Sequence, residues 1–139
     1  MNNEVANDIT ITAVKAQNLK SGAKGEKVAV KFLKKNRYSI LYTNYKTRFG
    51  EVDIIAHHKD TLVFVEVKAR HSSEFGEPIE AVDFCKQKKI SQVAAQFLAR
   101  HQIRDANIRF DVIEIYLAKS KKDYKVEHSE NAFDSYLKY

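Results

Sequence analysis

Three residues in one predicted hairpin have the types and spacing for phosphodiester chemistry: Asp53, then Glu66 and Lys68 on the next strand. Side chains alternate along a strand. In Leu62-Val63-Phe64-Val65-Glu66-Val67-Lys68, therefore, Phe64, Glu66 and Lys68 share one face, and Val63, Val65 and Val67 share the other. A turn centred between Lys59 and Asp60 sets Asp53 opposite Glu66 and Glu51 opposite Lys68. Directly opposed side chains have Cβ atoms ~4.5–5.5 Å apart. Two carboxylates that close repel unless a cation or a proton separates them. A divalent ion is the simplest resolution, and oxygen donors suit Mg²⁺ or Mn²⁺. The backbone carbonyl of Val67 adds a further hard donor. Lys68 would then face the scissile phosphate and the attacking water, stabilising developing charge or lowering the water's pKa. Cross-strand salt bridges on a solvated face are the commoner use of isolated strand carboxylates. Here Glu66 and Lys68 interrupt a strongly apolar strand, and a second acid-bearing strand precedes it, which favours a site.

The elements that must position these residues follow from periodicity. From Gly25 to Asn36, Ala29, Phe32 and Leu33 form an apolar stripe while Lys27, Lys31, Lys34 and Lys35 occupy other positions, which predicts an amphipathic helix with a basic face. Strands are predicted at Tyr38–Tyr45, Glu51–Ala56 and Thr61–Ala69. Arg70 to Pro78 reads as a loop. Ile79 to Arg100 carries Ile79, Val82, Lys86, Ile90, Val93 and Phe97 at helical spacing. Ile108–Leu117 reads as a fourth, central strand. The order α-β-β-β-α-β predicts an α/β domain, a mixed sheet flanked by helices, over residues 22–118. Residues 1–21 read as a flexible leader. Residues 119–139 read as a charged tail with a short helix near Asn131–Tyr139.

The charge pattern fits this placement. The 139 residues carry 24 Lys+Arg against 18 Asp+Glu, a net +6. Residues 21–50 hold eight bases and only Glu26, and residues 86–104 hold five bases and no acid. Between them, residues 51–85 hold eight acids against Lys59, Lys68 and Arg70. A protein that only coats phosphates has no use for that acidic block. A nuclease does, because carboxylates must hold metal inside a basic surround. Lys27, Lys31, Lys34, Lys35, Arg70, Lys86 and Gln87 are the candidate nucleic-acid contacts, with one of Lys86 or Gln87 pointing to the site or to a phosphate. Tyr38, Tyr42 and Tyr45 suit base stacking, though sheet packing is the more frequent use. Adjacent His57 and His58 point apart on a strand and read as surface residues. Cys85 is the single cysteine, which excludes a disulfide framework within one chain and reads as a small buried hydrophobe. No glycine-rich phosphate loop is present, and no stretch approaches the ~20 apolar residues that span a bilayer. With a polar N-terminus, this predicts a cytoplasmic protein with no membrane partner.

Taken together, the segments Gly22-x-x-Gly25-Glu26-x-x-Ala29-x-x-Phe32-Leu33, Gly50-Glu51-Val52-Asp53-Ile54-Ile55-Ala56, Leu62-Val63-Phe64-Val65-Glu66-Val67-Lys68-x-Arg70, Phe75-Gly76-x-Pro78, Ala81-Val82, Lys86 and Arg109-Phe110-Asp111-Val112-Ile113 resemble the YraN-like family of small bacterial proteins. The resemblance runs from Gly22 to Leu117. Asp53 with Glu66-x-Lys68 resembles the PD-(D/E)XK nuclease signature, with Val52 where that signature's name has Pro. The resemblance implies a restriction-endonuclease-like fold related to Holliday-junction resolvases and RecB-type nucleases. It implies Asp53 and Glu66 as metal ligands, Lys68 as the catalytic lysine and Glu26 as the acid that completes the site. A helix-start acid favoured by the macrodipole is the alternative for Glu26. The function so implied is Mg²⁺- or Mn²⁺-dependent hydrolysis of DNA, branched or damaged DNA included, by a homodimer. The alternative is a nucleic-acid-binding protein that keeps the fold without turnover.

Overall fold

The structure is a computed structural model that describes residues 21–71, 82–117 and 124–135. The leader at residues 1–20 and most of the loop preceding the second helix, residues 72–81, lie outside the described residues. In chain order the elements are α1 (Ser21–Lys35), β1 (Ser39–Thr47), β2 (Gly50–His58), β3 (Thr61–His71), α2 (Phe84–Arg100), β4 (Asn107–Leu117) and β5 (Tyr124–Ser129). They form one sheet in the order β1-β2-β3-β4-β5. It is mixed because β3 and β4 run parallel while the other neighbours are antiparallel. A parallel pair needs a long crossover, and α2 supplies it. The expected α-β-β-β-α-β order is present, with β5 added.

Each sheet face carries its own core, as the strand alternation requires. On one face Leu62, Phe64, Phe110 and Val112 pack with Ile90, Val93, Ala94 and Phe97 of α2. On the other, Val63, Val65, Ile113 and Ile115 pack with Ala29 and Leu33 of α1. In the α1 stripe Ala29 and Leu33 are buried and Phe32 is half-buried, while Lys27, Lys31, Lys34 and Lys35 are exposed. This helix starts four residues earlier than its periodicity suggests, which leaves no acid in its first turn and sets Glu26 beyond it. The macrodipole explanation of Glu26 therefore lapses. By contrast, α2 starts later than Ile79. Val82 and Asp83 are non-helical, and the Asp83 carboxylate caps the helix by accepting from the Lys86 amide at 2.8 Å.

The β2–β3 hairpin has the expected register from Ile54↔Val65 to His58↔Thr61. There the ladder stops. Residues 50–52 pair only with β1, residues 66–71 pair only with β4, and Asp53 stands in neither ladder. The expected oppositions of Asp53 to Glu66 and of Glu51 to Lys68 are therefore not formed, because the strands part at Ile54 and Val65, before reaching either pair. At the same level β1 changes face at Asn44, which has φ 54°. Asn tolerates that left-handed conformation better than most residues. Val52 consequently packs on the α2 side and Ile54 on the α1 side, although strict alternation would put them together.

Two further readings are corrected. The charged tail supplies β5, paired to β4 from Val112↔Ser129 to Leu117↔Tyr124, and residues 131–135 are turn and bend rather than helix. Strand pairing won because β4 otherwise presents an open edge. Cys85 is exposed, since it occupies the first turn of α2 where the helix has not yet met the sheet.

Candidate functional site

The notch left by the parting strands is where the predicted acids converge. Val67 has no ladder partner on β2, and its amide donates instead to Asp53 Oδ2 at 2.8 Å. The carbonyl of a strand residue points to the same edge as its amide, so the Val67 carbonyl also faces the notch. Gly25 lets α1 close onto this end of β3: a Cβ there would lie 3.1 Å from that of Ala69. The next residue, Glu26, thereby reaches the notch from the opposite sheet face. Its Oε1 accepts from Asn44 Nδ2 at 3.0 Å, and its carboxyl shares a hydrogen bond with Asp53. From the α2 side, Lys86 Nζ lies 3.0 Å from Glu66 Oε2. Five elements thus contribute to one cluster.

Its electrostatics are unbalanced. Glu66 is 6% exposed. Its Oε1 is buried with no hydrogen-bond partner among the described residues. Asp53 is pushed up to about 8, first by burial and then by the Glu66 charge, against the pull of the Val67 amide. Glu26 is also raised, by burial first, with Asn44 and Asp53 opposing through hydrogen bonds and Glu51 and Glu66 adding repulsion. Lys86 is raised chiefly by its hydrogen bond to Glu66. One ammonium faces three carboxyl groups, which is the condition a divalent cation relieves. The orphaned Glu66 oxygen and the hard donor set fit Mg²⁺ or Mn²⁺. As the side chains stand, no group of three or more His, Cys, Asp or Glu among the described residues is spaced to hold a metal ion.

The remaining predicted residues are placed as follows. Lys68 is half-buried on the Glu66 face, just beyond the notch. On that same face, Arg70 Nε is bound to the buried Glu114 at 3.2 Å. Gln87 Nε2 donates to the Val82 carbonyl at 2.6 Å, closing the start of α2. The four α1 lysines line the opposite side of the sheet from Lys86. Tyr42 and Tyr45 pack edge-on against Phe97, and Tyr38 is buried. His58 stacks on Tyr38 at 4.0 Å.

Sequence reasoning gave no role to a second buried acid, Asp111, at 0% exposure. It accepts from Arg109 through both oxygens at 2.9 Å, from the Asn131 amide at 2.9 Å, and pairs with His128 Nε2 at 2.8 Å. Arg109 also donates to the Tyr38 hydroxyl at 2.7 Å. The available signal was an acid inside an apolar strand, the same signal that singled out Glu66. Asn44 could not be found this way, because its role depends on the kink in β1.

A mixed sheet that parts over a cluster of carboxyl groups, with a lysine from the crossover helix set against it, defines an α/β protein with one candidate site at the notch. The model of the Uncharacterised protein family UPF0102 matches residues 25–115, and the chain belongs to that family, the YraN-like one. A UPF0102 protein of Alkaliphilus oremlandii is 53% identical over 118 residues, covering 84% of this chain and 99% of its own. One from Caldanaerobacter subterraneus is 48% identical over 113 residues, covering 81% and 93%. One from Clostridioides difficile is 44% identical over 116 residues, covering 84% and 98%. Among the described residues, no helix is long and apolar enough to cross a membrane.

Proposed function

We propose that the chain is a metal-dependent nuclease that hydrolyses phosphodiester bonds of DNA. The observation that carries this is the notch itself: Asp53, Glu66 and Glu26 converge where a hairpin parts, with one Glu66 oxygen left unpartnered. Asp53, Glu66 and the Val67 carbonyl would hold Mg²⁺ or Mn²⁺, with Glu26 beside them. A bound divalent ion supplies a Lewis acid for the phosphate and lowers the pKa of an attacking water. The Val67 amide fixes the Asp53 carboxyl, and Asn44 fixes Glu26, so both acids are oriented before substrate arrives. Lys86 offsets the Glu66 charge, and Lys68 stands beyond the notch to meet developing negative charge. Exposed Lys27, Lys31, Lys34 and Lys35 offer backbone contacts on the α1 side. A cut through both strands takes two such sites, so the proposal includes a homodimer, checked by light scattering, and a cytoplasmic location.

The test is cleavage of duplex, single-stranded and branched DNA by purified protein with Mg²⁺ or Mn²⁺. Cleavage that persists in both Asp53→Ala and Glu66→Ala overturns the site. A nucleic-acid-binding protein without turnover is the second reading. It is favoured by the Lys86 ammonium already seated on Glu66, which partly neutralises the cluster without metal. Salt-sensitive binding with no cleavage of any substrate selects it.

A further inference from the structure

The two basic blocks of the sequence meet at a place the nuclease site does not use. The β1–β2 turn, with Gly50 at φ 146°, folds against the C-terminal half of α2, where a hollow of about 560 Å³ opens. Lys46, Arg48 and Arg100 line it together with Gln96, and no acid does. Lys46 and Arg48 come from the first basic block and Arg100 from the second. Glu51, the cross-strand neighbour of Lys46, is the nearest acid in the β1–β2 register. The Arg48 guanidinium lies 5.0 Å over the Phe49 ring, which holds it at the rim. Gln96 has a buried Oε1 with no partner among the described residues, and turning its amide over presents a donor instead.

We infer that this hollow is a second binding site, for a backbone phosphodiester of nucleic acid held by Lys46, Arg48 and Arg100. It deepens the nuclease proposal by naming where the substrate strand is held away from the cut. The chemistry matches: three exposed cationic side chains and no acid line the hollow, which is what a phosphodiester oxyanion takes. The path to the notch is continuous along α2. Lys86 reaches Glu66, and Lys89 lies beside Gly50, whose Cβ position is 3.6 Å from that of Lys89. Lys86 and Arg100 are separated on the helix by about 21 Å at 1.5 Å per residue. That separation spans roughly six base pairs of duplex, at 3.4 Å per phosphate along one strand.

Fluorescence anisotropy with a labelled 20-base-pair duplex, in EDTA so that no divalent ion takes part, tests this directly. Arg48→Gln/Arg100→Gln should bind about tenfold more weakly at low salt, and its slope of log K against log salt should fall by about two. Lys59→Asn, at the opposite end of β2, should stay within about twofold of the parent chain. Should the double variant not fold, Lys46→Gln, an exposed single change, should lower the slope by about one. Unchanged affinity in folded variants overturns the site alone. Weaker binding in the variants, with no cleavage by the parent chain on any substrate, supports the site while overturning the nuclease proposal. A parent chain that binds no nucleic acid overturns both.

Discussion

Asp53 and Asp111 are carboxyls drawn into the same small sheet, on strands two places apart, and their surroundings are opposite. Asp111 has a guanidinium, an imidazole and a backbone amide on it. Burial pushes its carboxyl up, but the bonds from His128, Arg109 and Asn131 outweigh burial and hold it below the usual carboxylate range. Asp53 has one amide and two other carboxyls, and stands at about 8. The first is a staple: through Arg109 and Tyr38 it ties the α1–β1 turn to β4, and through His128 and Asn131 it ties β5 and the segment after it. Among the described residues, no cationic side chain is bonded to the second. The two acids are thus separated by whether their partners came with the fold, and the one short of partners lies in the candidate site.

Changes at the two places should have different readouts. The largest effect is expected from Glu66→Gln, which should reduce divalent-dependent cleavage on the order of 10³-fold while the urea unfolding midpoint stays close to the parent's. Asp111→Ala should do the reverse, costing about 3–5 kcal/mol in urea unfolding because Arg109 is left without its buried carboxylate. Cleavage per folded molecule should be unchanged. If Asp111→Ala proves neutral in stability, the staple interpretation is wrong. Asp53→Asn should raise metal-free stability at neutral pH, by roughly 1–2 kcal/mol, since the amide need not take up a proton to be buried beside Glu66, at the expense of function. A fall in melting temperature would refute that.

The pH dependence sharpens the contrast. The folded value of Asp111 lies below its unfolded value of about 4. Its contribution to stability is therefore complete above that value and is lost as pH falls through the folded one. Melting between pH 5 and pH 2 should be less steep in Asp111→Asn than in the parent. The smallest stability effect should come from Lys86→Gln: with the lysine 47% exposed, the loss of its ion pair should cost less than about 1 kcal/mol.

Much of the site was legible because strands alternate. The turn at Lys59-Asp60 set the register, and the Glu66-x-Lys68 interruption of an apolar run named the face. The opening of the hairpin was not legible. It lies level with Asn44, which is in a left-handed conformation on the neighbouring strand, and nothing local at Asp53 reports that. Nor was β5, because Tyr124–Ser129 is polar and gains its strand partners only from the edge that β4 offers. Cys85 was misread for a related reason. Its burial depends on where α2 starts relative to the sheet, and the Asp83 cap decides that.

By itself the sequence determined the element order, the hairpin register and the acids that alternation could bring together. Each is set by periodicity within a few neighbouring residues. Only the tertiary structure decided that Glu26 reaches Asp53 past a close Gly25–Ala69 contact, that Lys86 rather than Gln87 meets Glu66, and that Asp111 is satisfied while Asp53 is not. The physical reason is that a carboxyl's state depends on charges and donors within a few ångströms, whichever part of the chain supplies them.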